Sequence, residues 1–386
     1  MRFPWSGGVL SPGGTPPLLQ GQHNRKEIGV KASEFDFVRF REYRASREER
    51  LAAFLRGDGE TNVLFEEKVF TGFDTCRTPQ ESLERQLDGI TRQMDHDSDF
   101  VPYLEPWFGV GVFANAFGAE YVWTEGESPQ THYLVHAEEQ AARLEKPSVA
   151  DAPVMRLVLE AIDYFVEQTR GEIPIVCTDT QSPLDTATLL WDTSSFFTAV
   201  HTAPDIVHRL LDQITDLIIE FSRLQAEHIG QAWACPGHIM PSATGVSGLS
   251  ISDDNIVMVS PDDYERLAVP YCSRIAEAFG GIAVHSCGNF ERQLPALMKT
   301  DQLCMVDGAF CSCGDPNPNT DLELFRDTIK GTGTILHARM DSGWPRLVPR
   351  LVDPDLRLVL AIPGPAENEP ADTNRKALER TLFECA

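Results

Sequence analysis

The sequence predicts an α/β fold, a single (β/α)8 TIM barrel, on three observations. Eight short apolar or β-branched runs recur along the 386 residues, segments of helical period separate them, and no G-x-G-x-x-G follows an early run, which counts against a dinucleotide-binding open sheet. The runs are 62–70, 99–107, 174–179, 245–254, 281–287, 303–310, 334–341 and 356–363. Residues 1–32, beginning "MRFPWSGGVLSPGGTPPLLQGQ", read as a flexible Gly/Pro-rich extension, and 33–386 as the barrel domain.

Helices are expected at 79–95, 151–169, 204–228, 262–279, 290–299, 320–329, 344–352 and 372–384. In "PDIVHRLLDQITDLIIEFSRLQ" the residues Ile206, Leu210, Ile214, Leu217, Ile218 and Phe221 recur every three or four positions, with Pro204 opening the helix and Gly230 beyond its end. Ser260 is placed to cap the helix at 262–279, and Pro270 is expected to kink it. Segment 108–173 becomes an elaborated connection between the second and third strands.

With 58 acidic against 33 basic residues the formal charge is −25, a balance that repels nucleic acid and anionic membranes. The basic stretch "RFREYRASREER" is interleaved with acids and reads as a helix surface. Nine scattered cysteines, the absence of a continuous apolar leader and the absence of a bilayer-length apolar run point to a cytoplasmic protein. Its partner is expected to be a small-molecule substrate, and pattern alone leaves the oligomeric state open, a homodimer included.

In a barrel the catalytic groups sit at the carboxyl ends of the strands. His285 and Cys287, in "VHSCG" at the end of the fifth run, differ by two and therefore share a face of extended backbone. An imidazole and a thiolate suit Zn²⁺, whose catalytic sites take three protein ligands and leave one position open. Cys311 and Cys313 after the sixth run, or His337 on the seventh, are candidates for the third ligand. Asp253 and Asp254 end the fourth run, where one can point inward and the other cap the turn, and Asp179 and Gln181 end the third. These three aspartates are the candidate general acids, bases or orienting groups. Glu105 and Trp107 end the second run, facing the same mouth.

The segment "IAEAFGGIAVHSCGNFERQLPALMK" resembles the H-x-C-G-N segment of the uroporphyrinogen decarboxylase superfamily, in its corrinoid-dependent methyltransferase branch. The resemblance extends to "SREERLAAFLRGD", "FGVGVFANAFGAE", "DTQSPLDTATLLWDTSSFFTAVHTAPDIVHRLLDQIT" and "GLSISDDNIVMVSPDDYERLAVPYCSRI", covering most of residues 45–385. It implies a barrel whose His285 and Cys287 bind zinc, together with a later cysteine in the loop after the last strand. The zinc deprotonates a thiol that exchanges a methyl group with the cobalt of a corrinoid, implying cobalamin carried on a separate protein. This chain departs from that pattern in "LAIPGPAENEP", where Pro365 follows Gly364 in place of the cysteine.

The expected function is therefore a zinc-dependent methyltransferase acting between a corrinoid and a thiol or other small acceptor. One alternative is decarboxylation of a porphyrinogen-like or other carboxylated substrate. That chemistry needs converging arginines, and only Arg339, in phase with His337 and Asp341, is a good inward candidate. A further alternative is a barrel that has lost its third ligand and binds a small molecule without turnover.

Overall fold

The structure, a computed structural model, describes residues 29–69, 76–124, 127–312, 315, 317–365 and 369–385. Residues 1–28 of the expected extension, and Cys313, lie outside the described residues. Six parallel strands form the main sheet: β1 (Val63–Glu67), β2 (Leu249–Ser252), β3 (Ile282–His285), β4 (Leu303–Ala309), β5 (Ile335–Arg339) and β6 (Arg357–Ile362). Their order is β1-β6-β5-β4-β3-β2.

The two remaining expected strands complete the circle as irregular backbone. Asp99 N donates to Phe65 O at 3.0 Å, Leu104 bridges Ile175, and Gln181 bridges Ser252 of β2. Both stretches are punctuated by proline, at Pro102 and Pro106 in one and Pro174 in the other, and proline supplies no N–H to a ladder. A further segment wedges in between. Ile175 N donates to Ala232 O at 2.8 Å, Ala234 N to Ile175 O at 2.9 Å, and Ser250 N to Pro236 O at 2.7 Å. The third strand position thus meets 232–236 near its start and β2 directly near its end.

Alternation along the strands separates two layers. Leu64, Ala283, Met305, Ile335 and Val359 turn inward and meet Leu51, Ala52 and Phe54 of the helix Phe37–Arg56, which plugs the amino-terminal end of the barrel. Phe65, Ile251, Leu336, Leu358 and Leu360 turn outward into a larger core shared with the helices. The helix Pro204–Ile229 buries Leu210, Ile214, Leu217, Ile218 and Phe221 of the predicted stripe, leaves Ile206 partly exposed, and is capped at Gly230. Phe221 packs edge-to-face on Phe113 with ring centroids 5.8 Å apart. The helix expected at 262–279 is two helices, Pro261–Leu267 and Val269–Phe279, interrupted at Ala268 because Pro270 has no N–H to continue the ladder. Ser260 caps the first of them, accepting from Asp263 N at 3.1 Å. Among the described residues no helix is long and apolar enough to cross a membrane.

Adjacent glutamates at the end of β1 face opposite ways. Glu66 enters the barrel, while Glu67 is buried outside it, with one oxygen 3.5 Å from His96 Nδ1. Burial pushes the Glu67 carboxyl up to about 7, with the Asn374 amide and Arg375 opposing and Asp97 reinforcing the shift.

Truncating Phe221 to alanine is expected to cost about 3–5 kcal/mol in urea unfolding. Val38→Ser, on an exposed position, is expected to stay within about 0.5 kcal/mol of the parent. Glu67 gives a pH signature. The folded chain binds its proton more tightly than the unfolded chain, so the stabilisation is complete below the ordinary glutamate pKa and is lost as pH rises through about 7. Urea midpoints of Glu67→Gln are expected to gain on the parent from acid to slightly alkaline pH, and a pH-independent difference would contradict this assignment.

Candidate active site

Parallel pairing places one polar residue from each of four neighbouring strands in a single row. Ser252 of β2 stands opposite His285 of β3, His285 opposite Asp307 of β4, and Asp307 opposite His337 of β5. All four are buried and project into the upper half of the barrel. Asp307 binds both imidazoles, its Oδ2 lying 2.6 Å from His285 Nδ1 and its Oδ1 2.6 Å from His337 Nδ1. Arg339 completes the cluster, its Nε donating to the Asp307 oxygens at 3.2 and 3.0 Å and its Nη2 to Ser286 O at 2.9 Å.

With Nδ1 committed to Asp307, His285 has Nε2 available, and Cys287 and Asp254 gather around it. Nε2 is 3.6 Å from Cys287 Sγ and 3.8 Å from Asp254 Oδ1, and one ligand atom from each of the three residues lies within 4.8 Å of the others. Just past Cys287 the chain turns at Gly288, φ +87°, where a Cβ would come 3.0 Å from Val257. Cys287 N donates to Asp254 Oδ1 at 2.6 Å. Asp254 is itself placed from behind, because Asp185 accepts from Asp254 N at 2.6 Å and from Asn255 N at 2.7 Å.

Of the two neighbouring aspartates one points inward as expected, but the other does not cap the turn with its side chain. Asp254 points to the site, whereas Asp253 is fully buried and accepts from Ser182 Oγ at 2.8 Å and Tyr264 Oη at 2.7 Å. Burial raises the Asp253 carboxyl to about 6, against the lowering effect of those two hydroxyls. Burial and the charges of Asp253 and Asp254 raise Asp185 well above the carboxylate range.

His337 lies outside the three-residue group, with Asp307 on one ring nitrogen and Glu66 Oε2 3.4 Å from the other. Cys311 is buried and is not a member of the group either.

A second imidazole faces the first. His238 Nδ1 is 2.7 Å from Glu105 Oε1, its Nε2 is 3.7 Å from Asp179 Oδ2, and its ring centroid is 6.3 Å from that of His285. Asp179 is fixed by Ser252 Oγ at 2.9 Å and Gln181 Nε2 at 3.0 Å, with Trp107 Nε1 at 3.5 Å. Burial opposes charge on His238, but Asp179 and Glu105 override it and raise its pKa to about 9. Glu105, Trp107, Asp179 and Gln181 were expected at the mouth. His238 was not, because "CPGHIMPS" is a turn-rich stretch with no strand or helix period to orient it.

The donor set of imidazole nitrogen, thiol sulfur and carboxylate oxygen suits zinc. Two features of the geometry support the fit. The Asp307–His285 hydrogen bond orients the ring as carboxylates do for metal-bound histidines. The Cys287 N–H, donating to Asp254 Oδ1 at 2.6 Å, ties two of the three donor residues together.

Comparison with known proteins agrees with this architecture. Residues 64–236 match the family "Uroporphyrinogen decarboxylase (URO-D)", a segment that includes Glu105 and Asp179 and ends before His285. Uroporphyrinogen decarboxylase of Syntrophotalea carbinolica is 28% identical over 293 residues, covering 74% of this chain and 76% of that protein. The enzyme of the same name from Xanthomonas axonopodis pv. citri is 24% identical over 169 residues, and the match spans only 42% of its length and 42% of this chain. A methyltransferase from Methanosarcina mazei superposes with a TM-score of 0.61 at 17% identity, covering 87% of this chain and 98% of that one. The chain is thus similar in sequence to uroporphyrinogen decarboxylases and similar in fold to the Methanosarcina mazei methyltransferase.

Proposed function

We propose that this chain is a zinc-dependent methyltransferase that moves a methyl group between the cobalt of a corrinoid, carried on a separate protein, and a thiol or other small acceptor. The observation that carries the reading is the convergence of Asp254, His285 and Cys287 within 4.8 Å, with His285 oriented by Asp307. These three residues would hold the metal, and a bound zinc supplies the positive charge that keeps a thiol deprotonated at neutral pH. In the transfer a sulfur–carbon bond forms as the cobalt–carbon bond breaks, with the bonding pair staying on cobalt. The protein's own residues position and polarise. Asp307 and Arg339 fix the ring of His285, Asp185 fixes Asp254, and the Glu105–His238–Asp179 group holds a second imidazole with its ring centroid 6.3 Å from that of His285.

Decarboxylation is the second reading, favoured by the names of the curated relatives. A polycarboxylate needs unpaired cations in the barrel, and here Arg339 is bound to Asp307 and Lys68 to Glu66 at 2.9 Å. That pairing favours methyl transfer.

Purified protein is expected to retain about one zinc per chain. Cys287→Ala and Asp254→Ala are expected to lose it, and zinc-loaded parent to demethylate methylcobalamin in the presence of a thiol, followed by the cobalamin absorbance. Metal-free protein, or carbon dioxide released from a porphyrinogen with no demethylation, would overturn the proposal.

Glu105→Gln is expected to bring the His238 pKa down from about 9, because a neutral amide replaces one of the two carboxylates that hold its charge. Imidazole NMR titration of the metal-free protein checks it.

A further inference from the structure

Below the candidate ligands the hydrogen-bonded chain continues inward. Asp307 passes from His285 to His337, whose second nitrogen, Nε2, faces Glu66 Oε2 at 3.4 Å, and the same Glu66 oxygen lies 2.9 Å from Lys68 Nζ. Glu66, Asp307 and His337 are at most 1% exposed. Neither oxygen of Glu66 nor Nε2 of His337 has a well-formed hydrogen bond, so charge attraction is what offsets their desolvation. Burial opposes a charge on His337, yet Asp307 and Glu66, one on each nitrogen, raise its pKa. Burial likewise opposes charge on Glu66, where Lys68 and His337 prevail and lower it. Both ring nitrogens of His337 thus face carboxylate oxygens.

We propose that His337 is a positioning residue, pinned between Glu66 and Asp307, that fixes the Asp307 carboxylate so that His285 presents Nε2 to Cys287 and Asp254. The inference rests on the metal-centre reading of that group. A carboxylate can rotate about its own axis, and Asp307 has two anchors against this. Arg339 Nε approaches both oxygens, and His337 claims one of them at 2.6 Å, which leaves the other for His285. Without His337, Asp307 keeps only the guanidinium, and either of its oxygens can serve either neighbour. The His285 ring is then free to exchange its nitrogens, and the metal-facing lone pair is no longer predetermined. Glu66 and Lys68 hold the far side of His337 without approaching the candidate ligands.

The test reads His285 directly and uses Co²⁺ alone as the metal probe. In metal-free protein labelled with ¹⁵N-histidine, His285 is expected to carry its proton on Nδ1 and His337 to carry protons on both nitrogens. His337→Gln is expected to give His285 as a mixture of tautomers. It is also expected to weaken Co²⁺ binding by about 10–100-fold per folded chain and to alter the sulfur-to-cobalt absorption band. A residue with only a structural role would change the folded fraction and leave the spectrum of the folded fraction intact. If His337→Gln does not fold, Glu66→Gln keeps volume and acceptor, and is expected to show the same changes in smaller degree. Folded His337→Gln, or failing that Glu66→Gln, with parental tautomer and Co²⁺ affinity overturns the positioning role, as does a parent whose His337 carries one proton. A parent that binds no Co²⁺ overturns the metal-centre reading, and the positioning role with it.

Discussion

One buried charge organises the barrel. Asp307 has no solvent exposure, and burial alone would keep it protonated, but Arg339, His285 and His337 hold its carboxyl well below the ordinary range. A carboxylate in that setting is tolerated only when its partners are delivered with good geometry, since removing one partner of a buried ion pair leaves an uncompensated charge. The two histidines come from β3 and β5, the strands flanking β4, in the same register row, and Arg339 stands two residues further along β5. Slipping either strand by one residue would turn its histidine to the outer face and strand the charge. The requirement that pairs these strands is therefore the same one that aims His285.

Two imidazoles face each other in the barrel, each with a carboxylate on Nδ1 and a second one near Nε2. His285 has a carboxylate oxygen on Nδ1 and two candidate donors beside Nε2, whereas His238 sits between Glu105 and Asp179. Their rings are 6.3 Å apart and 76° from coplanar. Ser252 ties the halves together: it stands in the row with His285 and donates to Asp179, which in turn faces His238.

Much of this was legible in the sequence, for identifiable reasons. The six sheet strands coincide with β-branched or apolar runs, and the stripe of Pro204–Ile229 was visible as period. Spacing by two was enough to put His285 and Cys287 on one side. Two runs were read as full strands because their apolar content outweighed Pro102, Pro106 and Pro174, and there the missing N–H groups decided the outcome. The third member of the donor group was sought among cysteines and His337, while Asp254 was read as an acid or orienting group. Nothing local shows that an aspartate 33 residues from Cys287 accepts its backbone N–H. Asp307 did leave a trace, as the lone acid inside "LCMVDGAF", because an ionisable residue in a buried strand is rare unless paired. Its partners depend on strand register, which no local pattern encodes.

At the place that the resemblance assigns to a cysteine this chain has Pro365, directly after Gly364. A Cβ on Gly364 would stand 3.1 Å from Val69 Cγ1 and 3.4 Å from His96 Cε1, so this turn packs closely on the exit of β1, and Pro365 stiffens it further. Asp254 arrives instead from the end of β2, next to β3, and the donor group is drawn from neighbouring strands. Under the proposed reading the exchange conserves charge. One thiolate, one carboxylate and a neutral imidazole carry the same total as two thiolates and an imidazole, and that total balances a divalent cation. What changes is softness, because a carboxylate releases less electron density than a thiolate. A dication with one sulfur ligand is therefore the stronger Lewis acid and lowers the pKa of an incoming thiol further. Under that reading the chemistry would not need the cysteine, and its burden would rest on Asp254 and on the Asp185 carboxyl that holds Asp254 in place.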